Sequence, residues 1–315
     1  MKAQALRRGD LISLIEPSSA PATVERIENA VLYFESLGYR VTIGKHVMEP
    51  RGYLAAPDPL RLRDLHDAFA NKNVKAIFFI RGGYGSIRLL PEINYELIRR
   101  NPKILVGYSD ATALFAGLRK QIGFSSAFLG PMPGVDIWNG FDEFAEDNFW
   151  RALTSVKPLG ELPLKRGEAK ILNKRTTSKS ASGKLIGGNL TVFSSICGTP
   201  YQPLLKNAML AFEDVDERPY RIDRYFAQLR AMGAFENASA ILLGQFSDCD
   251  AEKGKPSLTL EEVFQDYFGK LKIPVITNLP FGHIQRQWTM PYGARYTIKI
   301  TNGVTKLFVS DAVLR

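Results

Sequence analysis

Residues 103–120 read KILVGYSDATALFAGLRK. Residues 103–106 form a short apolar run suited to a buried strand, and residues 112–120 carry apolar side chains at helical spacing. A strand that passes into a helix through a few residues is half of a βαβ unit, so its neighbours should be parallel strands. The same alternation extends upstream. Residues 11–15, 40–43 and 74–80 read as strands, and residues 24–37 and 59–70 as helices, with Ile27, Ala30, Val31, Phe34 and Leu37 on one face of the first. Residues 127–129 are a further short strand. The first part of the chain is therefore expected to be a doubly wound, flavodoxin-like parallel sheet.

Downstream the texture changes. Residues 153–182 are rich in Lys, Ser, Thr and Gly and weakly periodic, as in a connection between lobes. A turn at residues 187–190 opens a helix, and strands are expected at 209–212, 240–243, near Val275, at 296–300 and at 306–309. Helices fall at 221–232 and 260–271. The expected class is α/β, with an N-terminal domain over 1–153, a linker over 154–182 and a strand-rich C-terminal α/β domain over 183–315. No internal repeat is visible.

Composition narrows the function. The 315 residues are 45% hydrophobic and 23% charged, ordinary for a globular protein with room for two cores. The 41 Lys and Arg exceed the 32 Asp and Glu by nine. Small clusters such as Arg61/Arg63, Arg99/Arg100 and Lys165/Arg166 make no stripe, so nucleic acid is not expected and small anionic substrates are favoured. Cys197 and Cys249 are too few and too far apart for a disulfide framework and read as reduced thiols. The run LISLI is too short for a signal h-region, and no run approaches a membrane span. A cytoplasmic protein is expected.

At the corner, Gly107 lets the backbone bend and presents Ser109. A serine on a tight strand-to-helix turn can be a nucleophile, but Ala111 replaces the second glycine of GxSxG. From this turn alone, the helix N-cap is the favoured reading of Ser109, ahead of the nucleophile. A second loop bears on this choice. Residues 81–86, RGGYGS, end the strand 74–80 at the same predicted sheet edge, where doubly wound folds bind ligands. Its glycines could bring backbone N–H groups to a substrate oxygen, with the N–H of Asp110 as partner. It lacks the spacing of a phosphate loop.

A nucleophile needs a base, and there are three histidines. His66 falls on the polar side of a helix, and His46 follows a strand without notable polar company. His283, in LPFGHIQR, is placed at a loop mouth beside a glycine. Glu213 stands at a strand end ahead of Asp214, Asp216 and Glu217, and is the best placed carboxylate to orient an imidazole. No calcium-loop spacing appears, so no metal is expected.

Five ordered blocks, RGGYGSIRLLPEINY, NPKILVGYSDATAL, GKLIGGNL, LAFEDVDERPYRIDR and LPFGHIQRQWTMPYGA, resemble the LD-carboxypeptidases, the muramoyltetrapeptide carboxypeptidases. That serine peptidase family also contains microcin C self-immunity hydrolases. The resemblance spans nearly the whole chain. It implies a Ser-Glu-His triad, which falls on Ser109, Glu213 and His283. It implies backbone oxyanion donors at Gly83 and Asp110, with Gly82 the alternative to Gly83. The expected substrate is a murein tetrapeptide, cleaved between an L-centre of a diamino acid and terminal D-alanine in a site between the lobes. Neither cofactor nor metal is implied, and the family suggests a homodimer. Three rivals remain: an aminoacyl-nucleotide hydrolase using Trp138, Trp150 or Trp288 as a base platform, a non-catalytic two-lobed binder, and an ordinary α/β-hydrolase.

Overall fold

The computed structural model describes residues 2–173, 176 and 179–315. The first lobe runs β1 (Leu11–Ile15), α1 (Val24–Ser36), β2 (Arg40–Ile43), α2 (Asp58–Ala70), β3 (Val74–Phe79), α3 (Tyr95–Arg100), β4 (Ile104–Gly107), α4 (Ala111–Ile122), β5 (Ala127–Leu129) and α5 (Glu143–Thr154). The second begins with β6 (Gly160–Glu161), β7 (Lys170–Ile171), β8 (Ser180–Asn189), α6 (Leu190–Ile196), β9 (Ala208–Val215), α7 (Pro219–Ala231) and β10 (Ala240–Ser247). It continues with α8 (Leu260–Phe268), β11 (Val275–Thr277), β12 (Met290–Pro291), β13 (Arg295–Thr301) and β14 (Val304–Val309).

Strands β1 to β5 pair in parallel, in the order β5-β4-β3-β1-β2. The order reverses at β1 and β3, and the crevice outside their carboxyl ends is where such sheets bind ligands. The central strands β3 and β4 are almost wholly apolar because helices cover both faces. All four β4 residues are buried, and Ile77, Phe78 and Phe79 of β3 are at most 1% exposed. Burying each such side chain contributes about 1.5–3 kcal/mol.

The second sheet is mixed, ordered β6-β14-β13-β8-β9-β10-β11-β7. Its centre, β8 to β11, is parallel, and the flanking strands are antiparallel. Within the stretch 154–182, of which 174, 175, 177 and 178 lie outside the described residues, β6 and β7 form where composition implies only a connection, and they cap the two edges of this sheet. Residues 187–188 are also strand rather than turn. β8 escapes sequence reading because SASGKLIGGN carries little side-chain pattern; pairing with both β9 and β13 makes it a strand. A Cβ on Gly187, at φ +133°, would stand 1.9 Å from Ala211 O, so the closeness of β8 to β9 depends on that glycine.

The lobes interlock. β12, late in the chain, joins the first sheet antiparallel to β5, and Ala3 bridges to Leu314. Helix α4 packs on α6 and β8 of the second lobe, and its residues Ala111 to Leu118 are all buried. Both cysteines are free thiols, Cys249 buried.

Candidate active site

Ser109 follows β4 at the start of α4, with φ +60°, a left-handed conformation that costs a non-glycine residue about 1–3 kcal/mol. The capping reading does not hold: the N-cap is Asp110, and no side chain caps the helix. Surrounding contacts impose the strain. Ala111 N–H donates to Tyr108 O at 3.2 Å and Thr112 N–H to Ser109 O at 3.0 Å. Gly82 presses from the other side, where a Cβ would stand 2.9 Å from Ser109 Oγ. The helix N-terminus also favours negative charge at this corner.

Two buried carboxylates tie the surrounding loops together. Asp110 Oδ2 accepts from Ser18 Oγ at 2.6 Å and from Ser86 N–H at 2.8 Å, and Ser86 Oγ donates to Asp110 O at 2.6 Å. Glu16, at the carboxyl end of β1, accepts from Ser18 N–H at 3.1 Å and Arg81 N–H at 2.8 Å. Burial raises the pKa of both groups, against the lowering effect of these hydrogen bonds. The loops after β1, β3 and β4 are thus held in one cradle around Ser109. Gly83, at φ +112°, packs against Ser19, where a Cβ would lie 2.3 Å from Ser19 Oγ.

From the second lobe, His283 Nδ1 lies 2.8 Å from Glu213 Oε2, and Glu213 is buried. Gly282 permits this contact: at φ +116°, its Cβ would collide with Glu213 at 2.9 Å. Ser247 Oγ donates to His283 O at 3.0 Å. Burial disfavours the imidazolium, but Glu213 beside it, helped by Asp214 and Asp136, leaves the His283 pKa above its ordinary 6.5. The imidazole meets the Tyr108 ring edge-on, centroids 4.9 Å apart, so histidine and nucleophile loop are adjacent. Among the described residues Ser109 Oγ makes no hydrogen bond, and serine-to-base contacts commonly tighten only around substrate.

Asp136 was not singled out by sequence. It accepts from Met132 N–H at 2.7 Å, Tyr108 OH at 3.3 Å and Gln287 Nε2 at 3.3 Å, and burial lifts its pKa to about 6. It sits in a single turn of π-helix, Pro133–Ile137, which carries no sequence signature. Asp214, next to Glu213, accepts from Asn189 Nδ2 and from Thr191 N–H and Oγ1, fixing the start of α6. Glu217 pairs instead with Arg221, whose Nη1 lies 3.2 Å from its Oε2, and accepts from Thr191 Oγ1 at 3.4 Å.

The other histidines are engaged elsewhere. His66 is half-buried, its Nε2 accepting from Asn94 N–H at 3.0 Å, and burial lowers its pKa. His46 does have polar company, with Glu49 2.9 Å from Nδ1. Trp150 is partly buried, stacked on Tyr39 at 4.9 Å and packed against the core, and Trp288 is buried with its indole N–H on Pro163 O. Trp138 holds Arg26 over its ring. The exposed aromatic pair beside the glycine loop is Tyr53 with Tyr84, at 5.6 Å. No group of three or more His, Cys, Asp or Glu among the described residues is arranged to hold a metal. No helix among them is long and apolar enough to cross a membrane.

A two-lobed α/β protein with a strained serine on its strand–helix elbow and a carboxylate-bound histidine on the facing lobe has the equipment of a serine hydrolase. Residues 12–130 match the family model of the LD-carboxypeptidase N-terminal domain, and residues 182–298 that of the C-terminal domain. The chain is 34% identical to the probable murein peptide carboxypeptidase of Bacillus subtilis, over 100% of this chain and 97% of that protein. The muramoyltetrapeptide carboxypeptidase of Oxalobacter formigenes superposes with TM-score 0.84 and 29% identity, covering 96% and 99% of the two chains. A variant of microcin C7 self-immunity protein MccF, bound to adenosine monophosphate, superposes with TM-score 0.89 and 25% identity over 100% of both. The chain belongs to the LD-carboxypeptidase family and is a serine-type carboxypeptidase.

Proposed function

We propose that the protein releases terminal D-alanine from murein tetrapeptides through an acyl-enzyme on Ser109, with His283 as base and Glu213 orienting it. The observation that carries this reading is the 2.8 Å contact between buried Glu213 and His283 Nδ1, with the imidazole against the residue preceding Ser109. Glu213 accepts a hydrogen bond from Nδ1–H, which leaves Nε2 as the basic nitrogen. Nε2 takes the Ser109 proton as Oγ attacks the amide carbonyl. The N–H groups of Asp110 and Gly83 receive the oxyanion, helped by the N-terminus of α4. The imidazolium returns its proton to the departing D-alanine amine. Water, deprotonated by His283, then hydrolyses the ester and restores the serine. Recycling of cell-wall peptides by a cytoplasmic homodimer belongs to the same reading.

Incubation with a murein tetrapeptide should release D-alanine, and Ser109→Ala should abolish release while leaving the circular dichroism spectrum unchanged. Turnover retained in that variant would sink the nucleophile assignment. A second substrate class is favoured by one observation, the exposed Tyr53–Tyr84 pair beside the glycine loop, a surface on which a nucleobase could stack. An aminoacyl-sulfamoyl nucleotide assayed alongside the tetrapeptide decides between them by kcat/KM.

A further inference from the structure

At the far ends of α4, β8 and β9 lies a cavity of about 570 Å³ whose lining includes Arg119, Lys120, Lys184, Lys206 and Arg295 and no acidic residue. It is separate from the catalytic groups. Along α4, Lys120 is nine residues beyond Ala111, about 14 Å at the helical rise. Along the second sheet, Lys184 pairs with Ala208 while Asn189 pairs with Glu213, five residues on and about 17 Å away. Both distances put the cavity at the opposite edge of the two sheets from Ser109.

The fold sets two of these cations against each other. Arg295 stands directly opposite Lys184 across the antiparallel β13–β8 pair, and like charges so placed destabilise a sheet. Among the described residues none of the five cations forms an ion pair. The end of α4 accounts for Arg119 and Lys120, since cations suit a helix C-terminus and Arg119 NH1 reaches Gly123 O and Phe124 O. It does not account for Lys184, Lys206 or Arg295. Leu204, 75% exposed, adds an apolar wall.

We infer that this cavity is a binding site for a small multivalent anion of the linked-phosphate class. Its volume falls within the usual range for small-molecule sites, about 300–1,000 Å³. Guanidinium forks grip phosphate oxygens two at a time, and lysines supply point charge around them. The cations converge on one hollow rather than forming a stripe, which suits a compact anion better than a nucleic acid strand. Arg119 and Lys120 belong to the first lobe and the other three to the second, so the ligand bridges the lobes and neutralises the Lys184–Arg295 repulsion.

The test is calorimetric titration of the whole protein with sodium tripolyphosphate, without divalent cations, at a fixed ionic strength of about 0.15 M. One saturable site is expected, with a rise in Tm that follows ligand concentration. Lys184→Gln combined with Arg295→Gln should weaken binding about tenfold or more, and raise the ligand-free Tm at low salt. Both positions are exposed, so the variant keeps its fold, checked by circular dichroism. Lys270→Gln combined with Lys272→Gln removes the same charge elsewhere and should change binding less than about twofold. Absence of saturable binding by the wild type, or equal weakening by both double variants, overturns the site. A single-stranded oligonucleotide that binds more tightly than tripolyphosphate and loses affinity in the first variant also overturns it, replacing the small anion by nucleic acid.

Discussion

Glu213 and Glu217 occupy one acidic stretch, in which position at the end of the apolar run singles out Glu213. Glu213 is buried against His283, whereas Glu217 shares its charge with Arg221 at the protein surface. Glu213→Gln should therefore lower kcat about 10³-fold or more, as expected when the orienting carboxylate of a triad is neutralised. Glu217→Gln should leave kcat within about tenfold; the reverse ranking would show that the wrong carboxylate had been assigned. The raised pKa of His283 fixes the sign of the pH dependence. As the proposed base, His283 acts when neutral, so kcat/KM should fall as pH drops through a value above 6.5. The linked stability has the opposite sense: it is present below the unfolded pKa of 6.5 and lost as pH rises through the folded one. Glu213→Gln removes the charge that opposes burial, so the acid limb should move to lower pH; an unmoved limb would assign it to another group. Ser109 and His283 were legible because residue type and loop position suffice to nominate them. Asp136 was not, because nothing in PGVDI marks a π-turn aimed at Tyr108.

At the scale of elements, the cradle around Ser109 depends on loops that share no sequence proximity. Glu16 stands 65 residues from Arg81, yet its two oxygens accept the N–H groups of Ser18 and Arg81. Glu16→Gln puts an amide donor against one of those N–H groups and should displace the Gly82–Gly83 turn. The expected result is a fall in kcat of about tenfold or more with KM little changed, since oxyanion donors act mainly in the transition state. A raised KM with kcat intact would place the turn in ground-state binding instead. Strand β8 supplies a second case. Gly187→Ala should cost at least about 2 kcal/mol, read as a lowered urea midpoint, because its Cβ meets Ala211 O at a positive φ. An unchanged midpoint would mean that β8 and β9 can separate without penalty. The glycines that make β8 possible are also what made it resemble a turn in sequence.

At the scale of the whole molecule, the proposed mechanism requires one lobe to meet the other in a fixed register. Thr112 Oγ1 on α4 accepts the N–H of Asn189 on β8 at 3.0 Å, and Gly188 lets the strand approach, since its Cβ would lie 2.4 Å from that hydroxyl. Thr112→Val leaves a buried N–H without its acceptor, a cost of about 1–3 kcal/mol. It should lower kcat/KM together with stability, because it loosens the contact that sets Glu213 and His283 against Ser109. Normal kcat/KM in a destabilised variant would show that the lobes register through other contacts. The sequence by itself determined the α/β class, the parallel first sheet and the residues to examine, because apolar periodicity, glycine-bearing strand ends and residue chemistry are local properties. Only the tertiary structure decided that Asp136 meets Tyr108, that β8 is a strand, that β12 returns to the first sheet, and that five cations line one cavity. Each of these depends on the pairing of segments tens of residues or more apart, and no local pattern encodes such a pairing.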